Sequence, residues 1–429
     1  MKTPIEPKPS YKVGPLLLDM QAQEVRRKGI LIRLSPVEFG AFVQLVQRRG
    51  RTMLRRDFEP WHREPSADQR HPVDDVMANL RQKLGSDIIP KGEWGGGYRL
   101  DEKIPVTEIA GPSVKEAERL RAIALDRMNV FTLESLRSSI NSYEEVLQQG
   151  PDADAYANLA MNYINEGHTG FCLDLPQRTI PKTRKLLEEA LLHYPKFSSA
   201  YAIRGLTYLI YEYDWTRAEA ELKRAFDLND DDEYAHVVAA HLHVARGRFD
   251  EGIEHAKRAA EIDWRSPMTL FTVPWMYVLA GRTDEALLKC EEALKDFDPF
   301  AVGHIIHGYA WEAAGVGARA IAEYKRSMEI AVFPDAFASL GHAYGLGGEA
   351  RMAMSCLDNL RAFKDIAYVS SYYEALICVA LGKKKEAIDA LERAFTQKCD
   401  WLIYLKVEPR WRPLRGEKKF ISLLERVGL

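Results

Sequence analysis

The sequence predicts a mainly α protein, a small α+β head followed by an α-solenoid, and three observations predict it. Small residues recur at Ala218, Gly252, Ala286, Ala320, Ala353 and Ala387, with spacings of 34, 34, 34, 33 and 34. Glycines keep the same beat at Gly247, Gly281, Gly315, Gly348 and Gly382, and a third register follows at Ala225, Ala259, Ala293, Ser327, Leu360 and Ala394. A fixed period of this length marks helical hairpins that cannot bury their apolar faces alone and must stack on their neighbours. The first hundred residues lack the beat and instead mix short alternating runs with two capped apolar stripes.

Composition sets the class. Of 429 residues, 46% are hydrophobic and 28% charged, the profile of a folded globular chain rather than a disordered one. The opening MKTPIEPKP has no long apolar core, and the most apolar later stretch, MTLFTVPWMYVLA, is short and carries Pro274, so the chain reads as unexported and cytoplasmic. Cys172, Cys290, Cys356, Cys378 and Cys399 are odd in number and never in a CxxC spacing, which favours buried thiols over disulfides or a zinc site. The net charge of −3 hides an asymmetry: residues 1–100 hold 18 Lys and Arg against 12 Asp and Glu, the remainder 41 against 50. A basic head on an acidic body points to different partners for the two parts, with a polyanion fitting the head.

Tyr11 to Leu34 reads as a small antiparallel sheet. Ser35 is a good N-cap with Glu38 three residues on and Pro36 at the first helical position, and Phe39, Phe42, Val43 and Val46 make the apolar stripe of the helix that follows. A second, short helix is expected from Arg51 to about Pro60. A third begins at Pro72, with Val73, Val76, Met77, Leu80 and Leu84 facing inward and Gly85 as its stop. IIPKGEWGGGYRL then reads as two short strands around a glycine-rich tip.

The segments LSPVEF, VDDVMANLRQKL and GGGYRL, in this order and at these distances, resemble the OmpR/PhoB-type winged-helix domain over residues 10–100. The resemblance implies a recognition helix at 72–84 in the DNA major groove, a wing at 88–100 in the minor groove, and a loop at 60–71 that can meet RNA polymerase. A helix in the major groove reads base edges while cations anchor phosphates. Asn79 and Gln82 are the candidates for bases; Arg81, Lys83, Arg51, Arg55, Arg56 and Lys91 are the candidates for phosphates. Val76 and Ala78 stand where His or Arg is common in that family and Trp94 where a basic residue is, and Asp75 adds a negative charge that phosphates repel, which motivates the alternative of a head retained for docking.

The head is assigned to residues 1–103 and a tether to 104–115. The array occupies 116–429, with about eight units, an insertion, GHTGFCLDLPQRTIP, in the second, and a C-terminal tail, EPRWRPLRGEKKFISLLERVGL, expected to cap the last unit. Its period and its Gly, Ala, Ala register resemble the tetratricopeptide repeat. The order of ESLRSSINSYEEVL, AYANLAMNYI, the insertion and YEYDWTRAEAELKRAFDLN is similar to bacterial winged-helix/tetratricopeptide transcriptional regulators, including activators of invasion loci. In such arrays the first helix of each unit lines a concave groove. Here that groove would carry Tyr234, His241, Phe271, Trp275, Ile305, Tyr309, Glu312, His342 and Tyr372, an aromatic surface suited to a peptide, a partner helix or a flat small molecule.

No catalytic constellation can be assembled, so the chain reads as a non-enzyme without cofactor or metal. His236, His241 and His243, like His304, His307 and His342, are not spaced to put three ligands on one helical face, and His168 and Cys172 offer less. The expected function is a DNA-binding transcriptional regulator whose array receives a protein or small-molecule signal or mediates self-association as a homodimer. The alternative is an adaptor or scaffold with a winged helix that no longer reads DNA.

Overall fold

The computed structural model describes residues 10–20, 23–27, 30–49, 51–54, 58, 72–89, 97–100, 103–109, 120, 122–125, 132–148, 151–167, 174–364 and 368–429. They fall into two compact units, Met1–Ala122 and Ile123–Leu429.

In the first unit, β1 (Ser10–Val13), β2 (Leu16–Asp19), β3 (Glu24–Arg27) and β4 (Ile30–Ile32) form an antiparallel meander. Val13, Leu16, Leu18 and Val25 are buried from it. Helix α1 (Pro36–Gln47) starts with the expected capping box: Ser35 Oγ accepts from Glu38 N at 3.3 Å, and Glu38 Oε2 accepts from Ser35 N at 2.7 Å. Its Phe39, Phe42, Leu45 and Val46 meet Val73, Met77, Leu80 and Leu84 of α2 (Pro72–Leu84) and the sheet in one core.

Two expectations change here. Where a second helix was expected, Met53–Leu54 is a strand, β5, paired with β6 (Gly97–Tyr98). Thr52 and Met53 precede no apolar helical stripe, and Met53 is buried as a strand residue beneath the head core. The tether also begins with structure: β7 (Val106–Ile109) pairs with β1 and makes the sheet five-stranded, in the order β4-β3-β2-β1-β7. Arg55, Arg56, the 60–71 loop, Lys91 and Trp94 lie outside the described residues.

The second unit is helical. After α3 (Leu133–Gln148) come seven hairpins: α4 (Ala153–Gly167) with α5 (Pro176–His193), α6 (Ser198–Thr207) with α7 (Trp215–Leu228), α8 (Glu233–Ala245) with α9 (Phe249–Ile262), α10 (Pro267–Leu279) with α11 (Thr283–Phe297), α12 (Ala301–Ala313) with α13 (Gly317–Ile330), α14 (Pro334–Leu346) with α15 (Ala350–Phe363), and α16 (Ser371–Ala380) with α17 (Lys384–Thr396). Part of the expected insertion, from Pro176 to Pro181, is the start of α5, while His168 and Cys172 lie outside the described residues.

The beat has a local cause. Each turn glycine has a left-handed φ, between +73° and +80°. After α10, Gly281 N–H donates to Val278 O at 3.0 Å and Arg282 N–H to Tyr277 O at 2.9 Å, the paired bonds of a Schellman cap. The small residues five positions later are fully buried at Ala286, Ala320, Ala353 and Ala387, as is Ala218 five residues after Tyr213, and a Cβ on Gly252 would lie 2.9 Å from Ala240 O. At Gly281 a Cβ meets nothing within 4 Å, so Gly281→Ala carries only the backbone penalty. The expected loss is about 1 kcal/mol, checked by urea denaturation of the full chain.

Candidate functional site

The concave face is lined by α8, α10, α12, α14 and α16, and the chain fills it itself. Lys398 takes a left-handed φ of +60°, and its N–H and that of Cys399 close a Schellman-type turn on Phe395 O and Ala394 O, at 3.1 and 3.0 Å. The tail then crosses the groove in two 3-10 turns, Asp400–Tyr404 and Pro409–Leu414, and ends in α18 (Lys418–Val427). It does more than cap the last unit. Tyr213, held at φ +54° after a π-helical turn at Tyr208–Glu212, donates its hydroxyl to Cys399 O at 2.8 Å. Trp215 Nε1–H donates to Val427 O at 2.7 Å, and Arg246 to Gly428 O at 3.0 Å. Gly428 must lack a side chain, because a Cβ would sit 2.6 Å from the Trp215 indole nitrogen.

Four of the nine groove residues named from the repeat register, His241, Trp275, Tyr309 and Tyr372, contact this tail. His241 is hydrogen-bonded to Tyr404 Oη. Trp275 is wedged against Trp401 and Tyr404, with ring centroids at 5.3 and 6.0 Å, and against Tyr309 at 5.2 Å. Tyr372 donates to Glu408, and Trp411 Nε1–H donates to the same Glu408 Oε2 at 3.1 Å. Arg410 pairs with Glu408, lies 4.3 Å over the Tyr309 ring, and reaches Ser339 Oγ at 3.5 Å. Tyr309 donates to Asp335 at 2.5 Å, and Ser339 to the same oxygen at 3.0 Å. Glu312 and His342 sit together at 3.0 Å. Phe271 packs on Phe300 and Ile305 is buried, whereas Tyr234 donates to Asn158 at 2.8 Å.

Burial sets the electrostatics. It opposes charge on Arg410, but Glu408 and the surrounding phenols outweigh it and keep the guanidinium protonated. Burial raises Asp335, which accepts from two hydroxyls instead of meeting a cation directly. Against its own burial, Glu312 is held below the usual carboxylate range by His342 and Arg410. The groove offers the tail a phenol donor in Tyr372, an aromatic shelf for a guanidinium in Tyr309 and an apolar floor, while the bonds of Glu408 to Arg410 and Trp411 lie within the tail itself.

The head candidates divide differently. Asp75, Asn79 and Gln82 share the exposed face of α2. Arg81 Nε–H donates to Ile89 O at 3.1 Å, and Lys83 is bonded to Glu38 at 2.8 Å. Arg51 is exposed.

The histidines sort into separate groups, and among the described residues no set of three or more His, Cys, Asp or Glu side chains is arranged for a metal. His304 and His307 share Glu323, which they hold down to about 2 against its burial. His236 and His255 meet Nδ1 to Nδ1 at 2.9 Å, and His243 stacks on His255. Burial, reinforced by the two neighbouring imidazoles, pushes His255 down to about 4. In the unfolded chain the same group titrates near 6.5. As pH falls from 6.5 toward 4 the unfolded state therefore takes up a proton that the folded state refuses, and stability is lost in that window. Urea midpoints between pH 7.5 and 4.5 should fall, and His255→Gln should flatten the decline.

Sequence reasoning missed Tyr213, Trp215, Asp335, Ser339, Trp401, Tyr404, Glu408, Arg410 and Trp411. The one available signal was density: WLIY and EPRW concentrate aromatic residues where a solvated cap needs none.

No family model matches the chain, and no curated protein matches it. Among solved structures, a chain of the APC/C hetero-tetramer Cut9-Hcn1 superposes with a TM-score of 0.52 at 14% identity over 74% of this chain. This protein spans 57% of that chain. A tetratricopeptide repeat protein from Parabacteroides merdae aligns with a TM-score of 0.40 at 12% identity, over 62% of this chain and 99% of that one. The human IFIT1 dimer with m7Gppp-AAAA aligns at 0.44 and 16%, over 71% and 76%. The second unit has the tetratricopeptide-repeat fold.

Proposed function

We propose that the protein is a non-enzymatic interaction scaffold whose repeat array holds a polypeptide segment on its concave face. The observation that carries this reading is the tail: the groove already grips an irregular segment through indole, phenol, carboxylate and guanidinium groups. Stacked repeats present such a surface because each first helix adds one row of side chains to it. A photo-crosslinking residue at Trp275 in the full chain tests the reading in cells. A discrete adduct with a second polypeptide is expected beside the intrachain product; an intrachain product alone overturns it.

A second reading, a cytoplasmic transcriptional regulator that meets promoter DNA and RNA polymerase through its head, is favoured by one observation. Asn79 and Gln82, the residue types that pair with adenine, lie on the exposed face of α2. Because Lys83 is bonded to Glu38 and Arg81 to Ile89 O, phosphate contacts would fall to Arg51 and to basic residues outside the described set. Anisotropy of the full chain on promoter fragments should give a log affinity that falls linearly with log salt, by about 0.9 per phosphate neutralised. Absence of binding at low salt removes this reading.

A further inference from the structure

We propose that the tail is a resident, displaceable ligand, and that the concave site selects a segment folded into a 3-10 turn in which a carboxylate is followed two residues later by a guanidinium and then at once by an indole. This deepens the scaffold reading and rests on it. Three observations converge. The tail is held across the groove by a buried polar network that contains an ion pair, Arg410 with Glu408, whose two side chains are both nearly fully buried. Each group in that network has its counterpart in the segment: Glu408 takes the Tyr372 hydroxyl, Arg410 covers Tyr309, and Trp411 fills a fully buried slot beside Tyr372, with ring centroids at 5.2 Å.

The joint is the third observation. The tail leaves α17 through Lys398, a residue with a Cβ in the left-handed conformation, whereas the second helices α7, α9, α11, α13 and α15 are left through residues of negative φ. Buried ion pairs add little net stability beside an apolar filling but penalise every segment that fails to match them. The site is therefore built to discriminate between segments rather than to maximise its grip on one.

The test uses a fluorescent peptide of residues 399–416 and two full-length proteins, wild type and Arg410→Ala. The wild-type groove is full and its tethered tail competes at high effective concentration. The variant's tail is weakened, so it should bind the peptide at least about 30-fold more tightly than wild type does, and a peptide with the same Arg410→Ala change should lose that advantage. A folded variant that ignores the peptide overturns the proposal. If Arg410→Ala fails to fold, Glu408→Gln takes its place. Failure of both to fold, without rescue by the peptide, makes the tail a fixed part of the fold and equally overturns it. A crosslinked adduct at Trp275 that persists when the peptide is ignored separates the two ideas, leaving a scaffold of different ligand chemistry.

Discussion

Arg410→Met should lower the stability of the full chain by about 3–5 kcal/mol, the cost of stranding a buried partner charge. Glu408 is 1% exposed and would keep the Tyr372 and Trp411 donors but lose its cation. The physical signature lies in the double variant. Glu408→Gln with Arg410→Met removes both charges while retaining an acceptor for the phenol and the indole, so it should recover most of the loss. Chemical denaturation of the four proteins gives the coupling directly. A double variant no more stable than Arg410→Met would mean that shape, not charge, dominates this part of the groove.

Trp411→Ala is expected to cost a comparable amount, about 3–5 kcal/mol, for a different reason. The indole is fully buried and donates to Glu408, so its removal leaves a cavity and withdraws a donor from a charged acceptor. Trp411→Phe separates the two contributions: it fills much of the volume and lacks the donor. Its deficit should be near that of a single lost hydrogen bond to a charged group, about 1.5–3 kcal/mol. Near-ultraviolet dichroism will report the change, because Trp411 couples to Tyr372 and through it to Trp401 at 6.3 Å.

What was legible in the sequence is what short-range chemistry encodes. The Gly and Ala beat could be read because a helix stop and the close approach five residues later are both local. The same holds for Ser35 and Glu38, whose reciprocal bonds span three residues. The tail was not legible, since its bonds to the array reach across as many as 212 positions and recur with no period. Lys83 was assigned to phosphates because nothing local predicts that Glu38, 45 residues away, holds it. β7 escaped for the same reason: VTEI becomes a strand only because β1 offers it an edge.

The bonds from residues 399–428 back to residues 213–246 also change how the array comes apart. An open solenoid frays from both ends, because each terminal repeat has one neighbour to lose. Here the tail ties the last repeats to the second and third hairpins counted from α4, so that, while it is seated, the stretch from Tyr213 to Gly428 has no free end. Amide exchange should report the repeats from Tyr213 to Thr396 protected together for as long as the tail is seated, with opening that follows release of the tail and graded fraying left to α3, α4 and α5.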